Sequence, residues 1–262
     1  MKIGIFDSGI GGLSVLHQAM KELPGEQFIY YADEEHVPYG EKPRAEIEVF
    51  VAEIIGFLLA QNVKAIVIAC NTATSVATKE FRGRFPVPIV GMEPAVKKAL
   101  DLYGGSGGRV LAAATKITVT GGKMRHLLEC VDKQHLTDLI ALPGLVRFAE
   151  NGDFGSEAVE KYLRAELAKF DLSLYSSFVL GCTHFNFFKE ILRKLLPAEV
   201  RLVDGNEGTI NQLRRRLNCG LGSQGVSREP EYYFSGRKVA DGAQLERIRA
   251  CLQQLEKVFV IE

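Results

Sequence analysis

Two cysteines, Cys70 and Cys182, stand 112 residues apart (182 − 70) in matching surroundings. Cys70 ends the apolar run Ala65-Ile66-Val67-Ile68-Ala69 and precedes Asn71-Thr72-Ala73. Cys182 ends Phe178-Val179-Leu180-Gly181 and precedes Thr183-His184. A thiolate is a base and a nucleophile, but a free cysteine is mostly protonated at neutral pH. Its surroundings must lower its pKa or accept its proton, and hydroxyls, strand-end amides and an imidazole can all serve. His184, two residues beyond Cys182, is such a proton partner. One cysteine at a strand end reads as a small buried hydrophobe. Two in repeated settings point to facing thiols, one from each half of a duplicated fold. Cys130, Cys219 and Cys251 lack comparable neighbours, and Cys251 falls on or beside the stripe Leu245, Ile248, Leu252 and Leu255, where it reads as packing.

Other loops could complete a site. Asp7-Ser8-Gly9-Ile10-Gly11-Gly12-Leu13-Ser14 follows an apolar run and opens a helical one, so its amides form a natural anion site. It is near a dinucleotide fingerprint, but Ser14 stands where the third glycine belongs. Asp7 suits a substrate ammonium or the orientation of a proton carrier better than a pyrophosphate, or else is simply the acid of a tight turn. Pro38-Tyr39-Gly40 offers turn amides for a carboxylate, and the hydroxyls of Ala114-Thr115-Lys116-Ile117-Thr118 either donate to an anion or cap a helix. Glu93 and Glu150 are further ionisable candidates. Cys182-x-His184 lacks a second local pair to complete a tetrahedral metal set, and neither a Gly-x-Ser-x-Gly elbow nor a Walker loop is present. With no cofactor signature, the thiols are expected to carry the chemistry alone.

The elements that must position these groups alternate in type. Ile3 to Phe6, Phe28 to Ala32, Ala65 to Ala69 and Ile89-Val90 read as buried strands. Leu13, Leu16, Met20 and Leu23 keep helical spacing, as do Ile47, Val51, Ile54 and Leu58. A second series follows the break at Gly104-Gly105-Ser106-Gly107-Gly108, with strands over Val110 to Ala114, Leu139 to Leu142, Phe178 to Leu180 and Arg201 to Val203. Such alternation predicts an α/β fold of two similar domains, with parallel sheets flanked by helices and a site in the cleft between them. The first domain is expected over 1–97 and the second over 98–206, with 207–262 packing back onto the first. Zero net charge among 262 residues gives no electrostatic argument for a nucleic-acid or membrane partner. The dense basic run Arg214-Arg215-Arg216 reads as a solvated helix face. No apolar run approaches a membrane span, the N-terminus does not read as a signal peptide, and five unpaired-looking cysteines fit a reducing cytosol.

Taken together, Asp7-Ser8-Gly9-x-Gly11-Gly12, Pro38-Tyr39-Gly40, Cys70-Asn71-Thr72-Ala73, Ala114-Thr115-x-x-Thr118 and Gly181-Cys182-Thr183-His184 resemble, in order and over nearly the whole chain, the bacterial glutamate racemases. The resemblance implies a cofactor-independent, two-base racemisation of glutamate for peptidoglycan precursors. It implies that Cys182 deprotonates L-glutamate and Cys70 D-glutamate, with Asp7 assisting Cys70, His184 assisting Cys182 and Glu150 orienting His184. It places Asp7, Ser8, Tyr39, Gly40, Asn71, Thr72, Thr183 and His184 around the substrate, with Thr115 and Thr118 as additions, and implies a cytoplasmic homodimer. Three positions depart from the family pattern: Ala32 replaces a usual glycine before Asp33, Gly91-Met92-Glu93-Pro94 runs one residue short, and Asp204-Gly205 replaces a common Asp-Ser. An aspartate or hydantoin racemase is the nearest rival, disfavoured by Thr183-His184. A nucleotide-binding module built on the Gly9 to Gly12 loop is the rival from another class.

Overall fold

The computed structural model describes residues 1–92, 95–103, 108–217 and 229–261. Glu93 and Cys219 therefore lie outside the described residues. The first half holds β1 (Lys2–Asp7), α1 (Leu13–Glu22), β2 (Phe28–Ala32), α2 (Arg44–Ala60), β3 (Val63–Ile68), α3 (Asn71–Val76), α4 (Lys79–Arg82) and β4 (Ile89–Gly91); α5 (Val96–Tyr103) packs on the second sheet, so the expected boundary after residue 97 falls inside a helix of the second half. The second holds β5 (Arg109–Ala114), α6 (Lys116–Thr120), α7 (Gly122–Val131), β6 (Thr137–Ala141), α8 (Pro143–Glu150), α9 (Glu157–Leu167), β7 (Tyr175–Leu180), α10 (Lys189–Leu195) and β8 (Arg201–Asp204). After these come α11 (Asn206–Leu217), β9 (Glu231–Phe234), β10 (Arg237–Lys238) and α12 (Gly242–Val258).

The strands form two sheets, ordered β10-β9-β2-β1-β3-β4 and β6-β5-β7-β8. All pairings are parallel except β9 with β10. The central strands β1 and β5 are buried along nearly their whole length, which is why they read as unbroken apolar runs rather than alternating ones. The halves match in order, with β2-β1-β3-β4 repeated as β6-β5-β7-β8, and even the register slips at the same place. Both central strands shift against their cysteine-bearing neighbour at their first residues, between Lys2 and Ile3 and between Arg109 and Val110. One continuous core fills the space between the sheets, drawing Ile5 and Val67 from one, Leu111 and Phe178 from the other, and Ile248 and Leu255 from α12.

The C-terminal region supplies what the periodicity did not reveal. The run Glu231-Tyr232-Tyr233-Phe234 adds a parallel strand beside β2 and turns back through Ser235 and Gly236. Both turn residues have positive φ, 43° and 81°, as a two-residue hairpin loop requires. Helix α11 packs on α1, β3 and β4, and α12 packs on α1 and on the Thr183–Phe188 turn of the other half. Arg214 is not simply solvated: it is half-buried and bonds to Glu22 of α1 at 2.8 Å, whereas Arg215 and Arg216 are exposed. No helix among the described residues is long and apolar enough to cross a membrane.

Candidate active site

Each cysteine stands two residues beyond the last paired position of its strand. Ile68 of β3 pairs with Phe6 of β1, and Leu180 of β7 pairs with Ala113 of β5, so Cys70 and Cys182 occupy equivalent positions in the two sheets. Both are 6% exposed. The carboxyl ends of parallel strands are where an open α/β sheet leaves a crevice, and two such ends meet here.

Cys70 caps α3: its sulfur accepts from the amide of Ala73 at 3.4 Å and lies 3.8 Å from Ser8 Oγ. The amide favours a thiolate, but burial outweighs it, and with the charge of Asp7 pushes the Cys70 thiol far above its ordinary range. The resting group is a protonated thiol. A helix start beside the sulfur therefore does not suffice to ionise it, although strand-end amides pointed that way in the sequence.

The Cys182 side is built differently. His184 Nδ1 lies 3.7 Å from Cys182 Sγ, and His184 Nε2 lies 2.6 Å from Glu150 Oε1. Burial opposes a charge on His184, yet hydrogen bonds to Cys182 and Glu150 raise its pKa well above that of a free histidine. Burial likewise opposes ionisation of Glu150, and His184, the Ile10 amide and Arg247 overcome it and hold the carboxyl below its ordinary value. The result is a buried imidazolium–carboxylate pair whose free N–H faces a sulfur. Gly11 makes room for it: a Cβ there would sit 2.3 Å from His184 Nδ1 and 2.6 Å from Thr183 Oγ1.

Asp7 is fully buried at the end of β1. Its Oδ2 accepts from the amides of Gly12 at 3.0 Å and Gly9 at 3.4 Å, and its Oδ1 accepts from Thr183 Oγ1 at 3.4 Å across the cleft. Burial raises its pKa; His184 acts against that and Glu150 with it. The glycine loop thus does form an anion-binding nest, but the anions it holds are the protein's own. Asp7 takes Gly9 and Gly12, and Glu150 takes Ile10 at 3.0 Å. That arrangement removes the amides a nucleotide phosphate would need and corrects the expectation of an open anion site there.

The remaining candidates converge on the same region. Thr72 Oγ1 lies 3.0 Å from Thr115 Oγ1, which caps α6 through the Thr118 amide and donates to Thr118 Oγ1 at 3.0 Å. Both readings of that threonine loop hold a part: it caps a helix, and it touches the opposite half. Gly40 packs so close to Thr115 that a Cβ would sit 2.9 Å from its Cβ. Tyr39 is buried with its hydroxyl donated to Asp33 at 2.5 Å, so its phenol braces the loop rather than facing the cleft. Asn71 is buried with neither amide atom partnered among the described residues. Such an orphaned amide is costly unless something else meets it. Asn71 and Thr118 line a cavity of about 230 Å³, and Gly40 and Thr115 line one of about 570 Å³. A larger one of about 680 Å³, lined by Arg82, Lys98 and Arg216 among others, includes none of these site residues.

Two residues of this neighbourhood carried no signal in the sequence. Arg247 on α12 reaches Glu150 Oε2 at 2.9 Å from a segment nearly a hundred residues further along the chain. Asp33 gathers Tyr39 Oη, His36 Nδ1 at 2.9 Å and Ser235 Oγ at 3.2 Å, tying the Tyr39–Gly40 loop to the C-terminal hairpin. Both act through partners distant in the chain, although an acid ahead of a Pro-Tyr-Gly turn is a local signal for Asp33. Cys130 proves to have an imidazole neighbour, His126, at 3.7 Å on an exposed helix face.

The Asp/Glu/Hydantoin racemase family matches residues 8–213. A glutamate racemase of Campylobacter curvus (strain 525.92) is 52% identical, with both chains covered in full. Glutamate racemase 2 of Bacillus subtilis (strain 168) is 44% identical over 98% of this chain and 97% of that protein. Among solved structures, Escherichia coli glutamate racemase in complex with L-glutamate and the activator UDP-MurNAc-ala superimposes with a TM-score of 0.80. It shares 28% identity, with 97% of this chain and 95% of that one covered.

Proposed function

Because the chain belongs to the Asp/Glu/hydantoin racemase family, we propose that it interconverts L-glutamate and D-glutamate by a two-cysteine, two-base mechanism without a cofactor. The observation that carries this reading is the pair of buried thiols at equivalent strand ends, one left as a thiol and the other faced by an imidazolium.

In the direction from L-glutamate, Cys182 acts as the thiolate. It takes the α-hydrogen as a proton, the C–H electron pair stays on Cα, and the Cys70 S–H delivers its proton to the opposite face. Cys70 is then the thiolate and Cys182 the thiol, the state that starts the return from D-glutamate. His184, held protonated by Glu150, stabilises the negative sulfur of Cys182 through Nδ1. Asp7 acts on the Cys70 side through charge: there is no direct bond between them, and its negative form disfavours the Cys70 thiolate. A substrate ammonium between them would offset that repulsion. The raised pKa of Cys70 has a use, because a thiolate that is hard to form is a stronger base against a weakly acidic Cα–H.

The barrier is high, since no electron sink receives the carbanion-like charge. Preorganised donors in a water-excluded site are the available source of stabilisation. The orphaned amide of Asn71 and the hydroxyls of Ser8, Thr72, Thr115, Thr118 and Thr183, with the Tyr39–Gly40 turn, supply the polar lining for the two carboxylates. Thr72–Thr115 and Gly40–Thr115 contacts join the halves, so admission of substrate moves these loops apart while α12 keeps its hold on both halves. A cytoplasmic homodimer that supplies D-glutamate for peptidoglycan, and so for cell-wall growth and cell shape, completes the reading. Chiral chromatography of glutamate incubated with the wild-type chain and with Cys70→Ser and Cys182→Ser tests it: the first should racemise, and full turnover by both variants would refute the mechanism.

A further inference from the structure

The Cys182–His184–Glu150 chain does not end at Glu150. Glu150 is the last residue of α8, where the helix dipole disfavours a carboxylate. Arg247 of α12 meets that helix end with Nη2, which lies 2.9 Å from both the backbone carbonyl and Oε2 of Glu150. Its Nη1 lies 2.6 Å from Glu34 Oε1, in the loop after β2. The planar guanidinium thus leaves Glu150 Oε1 free for His184 Nε2 and the Ile10 amide. The same helix is pinned again at the turn that follows Cys182, where Gln254 donates to the carbonyl of Phe187 at 3.1 Å.

We propose that Arg247 is a positioning residue for the Cys182 half of the site, acting through Glu150 and His184 and anchored by Glu34. The inference rests on the racemase reading for its kinetic consequence, but the link from Arg247 to the Cys182 sulfur is structural and can be read without turnover. A guanidinium that only braced α12 against α8 would act on stability and on both thiols alike. A guanidinium that aims Glu150 acts on one thiol. The titratable and charged groups around Glu150 are Asp7, Tyr30, Glu34, His184, Arg247 and Cys251, and Arg247 is the permanent cation among them. Its removal raises the pH at which Glu150 takes a proton, and with it the pH below which His184 loses its partner.

The test uses Arg247→Gln, Arg247→Lys and Glu34→Gln in the full chain. Alkylation of Cys70 and Cys182 by iodoacetamide is followed by mass spectrometry across pH, beside the rate of glutamate racemisation. The expected result for Arg247→Gln is a Cys182 alkylation rate about tenfold lower with Cys70 unchanged. Racemisation should fall about ten- to a hundredfold, with its acid limb displaced to higher pH. Arg247→Lys should recover part of each, and Glu34→Gln, which keeps the guanidinium, should give the smaller effect of the same sign. Equal changes at both cysteines, or an unshifted acid limb, would overturn the proposal. If Cys182 alone slows while the wild-type chain converts neither enantiomer, the Arg247 link stands and the racemase reading fails.

Discussion

Glu150 Oε1 lies 2.6 Å from His184 Nε2, and through that contact α8 holds the imidazole that faces Cys182. His184 is buried at 2% side-chain exposure and Glu150 is largely covered at 14%, so little water competes for the contact. A histidine raised by such a partner contributes stability that is complete below the ordinary histidine pKa and is lost as pH climbs through the raised value. A lowered glutamate contributes stability that is present above the ordinary carboxyl value and is lost as pH falls through the lowered one.

The two windows overlap in full between the ordinary glutamate and histidine values, on the acid side of neutrality, which fixes the sign of one prediction. Within that window Glu150→Gln should be less stable than wild type by about 1–3 kcal/mol, for a buried charged donor deprived of its charged acceptor. The gap should narrow at acid pH, where wild type protonates Glu150 as well. Melting curves across pH check it, and a gap that widens on acidification would contradict the pairing.

Asp7 carries the opposite lesson. Burial raises its carboxyl, so its protonated form suits the fold, and stability is lost as pH rises from the ordinary aspartate value through the raised one. Asp7→Asn should lose less stability than wild type over that rise, while its racemisation falls. Calorimetry and turnover measured on the same samples separate these effects; equal pH slopes for the two proteins would remove Asp7 from the account.

Gly11 is the close approach that admits His184. An added methyl at 2.3 Å from His184 Nδ1 must move the ring or the loop. Gly11→Ala should therefore cut racemisation by about 10²-fold or more, on the scale of a displaced proton-transfer group, with the circular dichroism of an α/β fold retained. Unchanged turnover would show that the ring is not needed where it stands.

Much of this was legible in the chain itself. The strand ends, the two cysteines and His184 lay in or near local patterns, because a parallel strand must be apolar along its length and a site residue must sit at its carboxyl end; Glu150, at a helix end, drew its role only from the family resemblance. Arg247 and the β9–β10 hairpin were not legible. Arg247 sits on an amphipathic helix like any exposed arginine, and its meaning comes from a partner 97 positions away. The run Glu231-Tyr232-Tyr233-Phe234 is short and lacks alternation, so tertiary pairing with β2 makes it a strand. The charge states were hidden for the same reason: burial, which pushes Cys70 up against its favourable amide, is a property of the packed molecule.

Each cysteine replaced by serine should lower racemisation about 10²–10⁴-fold, the range for loss of a proton-transfer group. Enantiomers have equal free energy, so the equilibrium constant is unity and kcat/KM must fall by the same factor from either side. Directional difference belongs instead to isotope effects. Slowed transfer at Cys182 should raise the α-deuterium effect on L-glutamate more than on D-glutamate, and kinetics with α-deuterated enantiomers would read the reverse assignment if the roles are exchanged.

Solvent-deuterium incorporation at Cα, with L-glutamate and D-glutamate incubated separately in D₂O with the wild-type chain, tests the central claim most directly. Two opposed thiols predict that label enters with inversion: in the first turnovers it appears in D-glutamate formed from L-glutamate and in L-glutamate formed from D-glutamate. Racemisation that retains the original α-hydrogen, or no exchange with either enantiomer, would contradict the account.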